Sequence, residues 1–203
     1  MEEVDLDLDA SFYEESINEY EVEFKNLLLN IYSCYMLIMA DRRLVPANNE
    51  NKIRDILLEY LKNTKIRNED CIIEGYLFEQ EVDEHTSHIA GRVDIKIRNI
   101  NEFLIYEEHD AYFIIECKRL DGSKSLNDKY ITEGIHRFTS KKYSSYYGVN
   151  GMIGFVVNKI NIDENITNIG DFFNELKVQK LYESSHVNLK LYHLMMDFSD
   201  NIK

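Results

Sequence analysis

Three charged residues near the middle of the chain have the types and the spacing needed to bind a metal ion and activate water. Glu116 and Lys118 end an apolar run that begins at residue 111, and Asp94 lies in an earlier segment of alternating apolar and polar residues. Side chains two positions apart in a strand share a face, so Glu116 and Lys118 project together. If the two segments pair, two carboxylates and one ammonium group meet at one edge of a sheet.

The chemistry of such a cluster is that of a hard divalent cation. Two carboxylates packed closely repel each other unless a cation lies between them. Mg²⁺ fits because it prefers oxygen ligands, takes few of them from protein and keeps positions for water and substrate phosphate. Lys118 is then placed to orient a water molecule and help it lose a proton near the metal. The combination predicts in-line attack on a phosphodiester.

The pattern of apolar residues predicts the elements that position these groups. Residues 23–43 predict a helix that is apolar nearly all round and is therefore either buried or packed on another subunit. Asn48 or Asn49 is expected to cap a second helix. Further strands are expected at 72–81, 92–98, 111–118, 151–158 and 187–194, further helices at 129–147 and 171–182, and a loop at 85–91. This order predicts an α/β protein with a mixed sheet flanked by helices.

Asp94 followed by Glu116-Cys117-Lys118 resembles the motif of the PD-(D/E)XK nuclease superfamily, whose members have the restriction-endonuclease-like fold. The α-β-β-β-α-β order of that fold matches residues 49–158, roughly half of the chain, and leaves an extra helix at the N-terminal end. The sequence departs from the motif's name only at Val93, where the name has a proline that superfamily members often lack.

The resemblance implies a role for each motif residue. Asp94 and Glu116 would be metal ligands together with the backbone carbonyl of Cys117, and Lys118 would activate the water. Mg²⁺ would be the cofactor, with Mn²⁺ able to substitute. Many members add a glutamate from the helix before the first strand. Glu50 is the first choice for that role and Glu59 the second.

The segment after Lys118 is basic within an acidic protein. Residues 118–142 hold seven Lys or Arg against three acids, a balance of +4, whereas the whole chain carries −14. Superfamily members often use this helix to touch phosphate, so the resemblance implies contact with nucleic acid, with DNA favoured over RNA. The expected contacts are Lys129, Tyr130, Arg137, Lys141 and Lys142. The alternatives are a solvated face for the basic residues and a core position for the tyrosine.

Three stretches are also similar to small nucleases of bacterial anti-phage systems: KYITEGIHRF at 129–138, KKY at 141–143 and GMIGFVV at 151–157. This similarity implies an effector of prokaryotic anti-phage defence that is controlled by a partner. The sequence leaves open a second class of function, a catalytically silent nuclease-fold subunit that binds within a larger protein assembly.

The charge is concentrated at one end of the chain. The first 24 residues hold ten acids and no Lys or Arg. Such a block is typical of a solvated, mobile tail, so residues 1–22 are expected to form an acidic tail and residues 23–203 a single nuclease-like domain. The alternative is a polyanion that contacts a partner or screens a basic groove. The overall charge argues against constitutive nonspecific DNA binding, because phosphate contacts need local positive potential.

Composition favours a cytoplasmic protein that is not embedded in a membrane. The most apolar window, residues 27–40, is shorter than the ~20 residues needed to cross a bilayer. The spacing of Cys34, Cys71 and Cys117 indicates neither a disulfide framework nor a metal knuckle. His85 and His88 have ligand-like spacing, but no third soft ligand is in view for zinc. The apolar helix at 23–43 predicts a protein partner or a homo-oligomer.

Overall fold

The structure of the protein is a computed structural model. It describes residues 10–41, 45–63, 73, 75–86, 89–99, 112–143, 147–170, 174–176 and 180–203. The helices are α1 (Ala10–Ala40), α2 (Glu50–Lys62), α3 (Lys124–Tyr130), α4 (His136–Thr139) and α5 (Ile162–Ile169), and a π-helical turn, Ile131–Ile135, joins α3 to α4. The strands are β1 (Tyr76–Thr86), β2 (Ile89–Asn99), β3 (Tyr112–Leu120), β4 (Val149–Val156), β5 (Asn174–Leu176), β6 (Leu181–His186) and β7 (Leu189–Asp197).

The strands form one mixed sheet in the order β1-β2-β3-β4-β7-β6-β5. β4 runs parallel to both of its neighbours, β3 and β7, while the other pairs are antiparallel. The central strand β4 is buried along its whole length, as expected for a strand with both faces covered. The prediction of an α/β protein with a helix-flanked mixed sheet is confirmed.

Two apolar cores lie on opposite faces of the sheet, and strand alternation assigns each residue of β3 to one of them. Ile115 and Cys117 belong to the core that includes the buried residues of α1 and α2. Ile114 and Leu120 belong to the core that also holds Tyr130 and Ile135 from the helical segment after β3. Glu116 shares the parity of this second pair, so its carboxylate projects into the face covered by the helices that follow β3.

The first helix begins at Ala10, inside the segment predicted to be a mobile tail. Tyr20 explains part of the difference, because its ring packs 4.4 Å from that of Phe113 and its hydroxyl donates to the backbone carbonyl of Tyr112. Glu21 accepts hydrogen bonds from Lys190 at the other side of the fold. The acidic segment from residue 10 onward is therefore helix, while residues 1–9 lie outside the described part of the chain.

The apolar character of α1 is accounted for within the chain. Phe24, Leu28, Ile31 and Ile38 are fully buried in the core beneath it. One face of this helix is therefore buried against its own sheet. Met36 on the same helix is 51% exposed, and the predicted contact with another subunit stays a prediction.

The helix predicted at 171–182 is wrong. The helix instead spans Ile162–Ile169, where the Asn161 side chain caps it by accepting from the backbone N–H of Glu164. Leu181–His186 forms β6, which pairs with β7 through a tight turn. Asn188 in that turn has a φ of 57°, a left-handed conformation that asparagine adopts more readily than most residues.

Two other predicted boundaries move. Strands β1 and β2 pair up to Thr86 and Ile89, so residues 85, 86 and 89–91 of the expected loop belong to strands, while residues 87 and 88 lie outside the described part of the chain. His88 is one of them, so the spacing of His85 and His88, which the sequence does not favour as a zinc site, lies outside the described residues. The helix expected at 129–147 starts at Lys124, where Ser123 caps it, and ends at Thr139.

The helices and the cysteines can be compared with what the composition predicts. None of the helices in the described part of the chain combines the length and apolar character needed to span a bilayer. Cys34 in α1 is disulfide-bonded, whereas Cys117 is a buried free thiol. The disulfide differs from the expectation that the cysteine spacing supports none.

Candidate active site

The site begins where β2 and β3 separate. Their pairing ends at Ile95 opposite Ile115, so the backbone donors of β3 beyond this point need other acceptors. The carboxylate of Asp94 supplies one, since its Oδ2 accepts from the N–H of Cys117 at 2.8 Å. This bond fixes the orientation of Asp94 against the strand that carries the other motif residues.

The ammonium group of Lys118 is the centre of the cluster. Its Nζ lies 2.8 Å from Oε1 of Glu116, 2.8 Å from the carbonyl oxygen of Cys117 and 3.2 Å from Oε1 of Glu50. Oδ2 of Asp94 lies 3.9 Å away. Four oxygen atoms from four residues therefore surround one cation, at a site where the side chain of Glu116 has no exposed surface and that of Lys118 only 8%.

The glutamate from the preceding helix is Glu50, at the N-terminus of α2. Asn49 caps this helix by accepting from the N–H of Lys52. Oε2 of Glu50 accepts from the backbone N–H of Arg119 at 3.1 Å, while its other oxygen faces Lys118. Glu59, the second choice, is exposed on the same helix. The structure thus brings Glu50, and not Glu59, to the motif.

Each of the two predicted metal-binding carboxylates is bonded to an arginine, a pairing that the sequence analysis did not predict. Nη1 of Arg54 lies 2.9 Å from Oδ1 of Asp94, and its Nη2 lies 2.9 Å from Glu81. Nη1 of Arg137 lies 2.5 Å from Oε1 of Glu116. Arg54 follows Glu50 by one helical turn, so the side chains of both residues share a face. That spacing is the signal by which sequence reasoning could have found Arg54.

The helical segment over the site approaches the sheet closely. Gly134 lies in the π-helical turn, and a Cβ added there would lie 2.5 Å from Cε of Met152 and 3.6 Å from Cγ of Lys118. The missing side chain lets the helix lie directly over the motif lysine. π-Helical turns within α-helices are frequent at functional sites, and this one leads into α4, which carries Arg137.

Burial and the negative charge of Asp94 both raise the pKa of Glu116. Burial, followed by the negative charge of Asp94, raises the pKa of Glu116 to about 7, although Lys118 and Arg137 oppose the shift. The carboxyl group therefore changes charge near neutral pH, in the absence of a metal.

The pKa of Lys118 is also raised, but neighbouring charge and not burial is the cause. Burial alone would lower the pKa of Lys118, but the charges of Glu116, Glu50 and Asp94 outweigh burial and raise it. Lys118 is consequently an ammonium group that donates hydrogen bonds. Such a group can orient a water molecule and stabilise the hydroxide that forms from it.

The residues expected to contact nucleic acid fall into three groups. Arg137 and Lys142 line a cavity beside Asp94. Lys129 and Lys141 are exposed and are not among the residues that line it. Tyr130 is completely buried, and its hydroxyl bonds to Nδ1 of His193 at 3.0 Å. This burial contradicts the predicted contact between Tyr130 and nucleic acid, because the ring packs in the core.

The donor set fits a hard cation. Asp94 and Glu116 offer carboxylate oxygens, and the carbonyl of Cys117 faces the same space as the Lys118 ammonium group. Mg²⁺ commonly takes one or two carboxylates and completes its shell with water. Within the described ranges, no three His, Cys, Asp or Glu side chains form a group that could hold a metal ion by themselves. The predicted set needs only two carboxylates and a backbone carbonyl.

Comparison with known proteins adds no relative. No family model matches this chain, and no curated protein and no solved structure matches it significantly. The site therefore has to be interpreted from its own geometry.

Proposed function

We propose that the protein is a Mg²⁺-dependent nuclease of the PD-(D/E)XK class that hydrolyses phosphodiester bonds, with DNA as the substrate. The observation that carries the proposal is the convergence of Asp94, Glu116 and Glu50 on the ammonium group of Lys118. The element order from α2 to β4, helix, three strands, helical segment and strand, supports the same class.

Each residue has a distinct task under this proposal. Asp94, Glu116 and the carbonyl of Cys117 would hold Mg²⁺, which supplies Lewis-acid stabilisation of phosphate charge when it is bound. Lys118 would orient the attacking water, because its ammonium group lies among the oxygens of the predicted metal ligands. Glu50 keeps Lys118 in place through its hydrogen bond.

The experiment that tests the proposal is a cleavage assay on linear DNA, circular DNA and RNA, with Mg²⁺ or with EDTA. We expect Glu116→Ala and Lys118→Ala to abolish Mg²⁺-dependent cleavage while circular dichroism shows a retained fold. Lys159→Ala is a matched control, since Lys159 is 78% exposed and pairs with the exposed Asp200. Full activity in either motif variant would refute the assignment.

A catalytically silent binding subunit is the second candidate, and one observation favours it. Both carboxylates of the predicted metal pair are already bonded to cationic side chains, Asp94 to Arg54 and Glu116 to Lys118 and Arg137. Calorimetric titration with Mn²⁺ and Ca²⁺ separates the two candidates. A nuclease binds these ions and loses that binding in Glu116→Ala, whereas a silent subunit binds neither.

The biological setting rests on the sequence resemblance alone. We propose a cytoplasmic effector of anti-phage defence whose activity a partner controls. Fractionation of cells that express the full chain, together with a phage-challenge assay of Lys118→Ala, tests the setting.

A further inference from the structure

A cavity of about 260 Å³ opens beside Asp94. One wall is the N-terminal part of α2 with Asn51 and Arg54, and another is the β1–β2 hairpin with Glu81 and Arg92. The turn after α4 closes it with Lys142, and Arg137 comes from α4 itself.

The lining of this cavity is cationic. Four side chains carry positive charge, those of Arg54, Arg92, Arg137 and Lys142, while only Glu81 and Asp94 carry negative charge. The lining therefore has an excess of two positive charges in a chain whose net charge is −14. Two of these cations also pair with carboxylates outside the lining, Arg54 with Asp55 and Arg137 with Glu116. The groups that can still attract an anion such as phosphate are Arg92, Lys142 and the remaining nitrogens of Arg137.

The cations differ in what they can offer a ligand. Arg54 cannot readily bind a ligand, because its nitrogens bond to Asp94, Glu81 and Asp55 and its side chain is 3% exposed. Arg92 contacts Glu81 but is 58% exposed. The ammonium group of Lys142 has no hydrogen bond or ion pair with any residue in the described ranges.

The walls are tied together before any ligand arrives. The hydroxyl of Tyr143 lies 2.7 Å from the carbonyl of Arg92, 2.8 Å from Nη1 of Arg137 and 2.9 Å from Oε2 of Glu116. One buried phenol thus connects the turn that carries Lys142 to β2, to α4 and to the predicted metal ligand. Donors fixed in this way bind without a large ordering cost.

We propose that this cavity is a subsite for one backbone phosphate of nucleic acid, bound by Arg92, Arg137 and Lys142. The inference rests on the proposed nuclease function, because Asp94 belongs both to the cavity lining and to the predicted metal ligands. The bound phosphate is consequently a neighbour of the one that is cleaved. The volume lies below the ~300 Å³ at which pockets begin to enclose drug-sized ligands, so the cavity accepts a phosphate and not a base pair.

The test measures binding without cleavage, by fluorescence anisotropy of labelled single-stranded and duplex DNA in EDTA over a series of salt concentrations. Lys142→Ala removes no side-chain hydrogen bond or ion pair within the described residues and should weaken binding about tenfold, as expected for one charge-assisted hydrogen bond. It should also reduce the slope of log Kd against log salt by about 1. Arg92→Ala should act in the same direction, and Lys159→Ala should bind as the unmodified protein does.

The neighbouring residue Lys141 distinguishes a subsite from a diffuse basic surface, since it is exposed and does not line the cavity. Equal losses in Lys141→Ala and Lys142→Ala would overturn the proposal, as would unchanged binding in Lys142→Ala. Inorganic phosphate provides a second readout, because it should shift the amide NMR resonances of Lys142 and Arg92 in the unmodified protein. Absence of those shifts at millimolar phosphate would also count against the subsite.

Failure of this inference is separable from failure of the proposed function. If the unmodified protein cleaves DNA and the cavity variants bind and cleave equally well, the subsite is wrong and the nuclease stands. If the cavity variants lose binding but no cleavage occurs with Mg²⁺, the subsite stands on a silent binding protein.

Discussion

Oδ2 of Asp94 accepts a hydrogen bond of 2.8 Å from the backbone N–H of Cys117, beyond the last paired residues of β2 and β3. Its other oxygen, Oδ1, accepts from Arg54 at 2.9 Å. The aspartate is thus held by a strand on one side and a helix on the other. Its position depends on three separate elements of the fold.

Asp94→Asn should destabilise the protein, because asparagine has one acceptor oxygen and would turn an amide N–H₂ group toward a donor. We expect the free energy of unfolding to fall by about 3 kcal/mol, as when a buried ion pair loses one partner. Asp55→Asn is the matched control, since Asp55 also pairs with Arg54 but is 42% exposed. Its loss should stay below about 1 kcal/mol. Urea denaturation measures both, and equal losses would contradict the assigned role of Asp94.

Glu50→Gln should lower Mg²⁺-dependent cleavage about tenfold or more, in the range found when groups that orient metal-site residues are removed. The reason is that Glu50 holds both the Lys118 ammonium group and the N–H of Arg119. Glu59→Gln, on the exposed face of the same helix, should cleave as the unmodified protein does. Initial rates on circular DNA give the comparison. A loss shared by both variants would point to an effect on α2 as a whole.

Stability without metal should depend on the charge of Glu116. Its pKa rises from 4.5 to about 7 on folding because of burial and the nearby charge of Asp94. The folded state therefore holds this proton more tightly than the unfolded state, and the associated stability is lost as pH rises from 4.5 through 7. The loss approaches 1.4 kcal/mol per pH unit. Denaturation in EDTA at several pH values should show this slope in the unmodified protein, and a smaller one in Glu116→Gln.

His193 should stay neutral at mildly acidic pH. Burial, followed by the influence of His186, lowers the pKa of His193 from 6.5 to about 3. Because the folded state binds this proton less tightly, the contribution to stability is present above pH 6.5 and is lost as pH falls toward 3. The NMR signals of the His193 imidazole should not change between pH 8 and pH 5. A titration midpoint near pH 6 would show that Tyr130 and Ser184 do not enclose the ring as the structure has it.

Tyr20→Ala should destabilise the protein although Tyr20 lies in the segment that the sequence predicts to be a tail. Its ring is 6% exposed and contacts Phe113, so we expect a loss of about 3 kcal/mol in the free energy of unfolding. Val22→Ala, two residues further along α1, is the control, since Val22 is 53% exposed. Its effect should stay within ~0.5 kcal/mol. Thermal or urea denaturation of both variants decides whether this part of α1 belongs to the fold.

The motif itself was readable in the sequence because it depends on local periodicity. Side chains alternate along a strand, so Glu116 and Lys118 had to share a face, and Cys117 had to enter the opposite core. Glu50 follows from the family resemblance, which implies a glutamate on the helix before the first strand, and not from periodicity. The structure places its carboxylate 3.2 Å from the ammonium group of Lys118. The element order from α2 to β4 follows from the same periodic patterns.

Other features could not be predicted from the sequence because they depend on contacts between residues that are distant in the chain. The hydroxyl of Tyr20 bonds to Tyr112, 92 positions along the chain, and its ring packs on Phe113 only once the sheet has formed. The acidic composition of this segment therefore did not indicate a helix that is held by contacts distant in the sequence. Residues 171–182 have a composition compatible with a helix. Pairing of Leu181–His186 with β7 overrides that local preference.

By itself, the sequence determined which residues share a strand face, where one helix is capped and which segments are apolar enough to be buried. Only the tertiary structure decided that Arg54 and Arg137 neutralise the motif carboxylates, that Tyr130 is buried, and that Lys142 faces a cavity beside Asp94. The physical reason is the distance along the chain over which each interaction acts. Periodicity and capping act within a few residues of the chain, whereas ion pairs and cavities form between elements whose relative positions are set by packing.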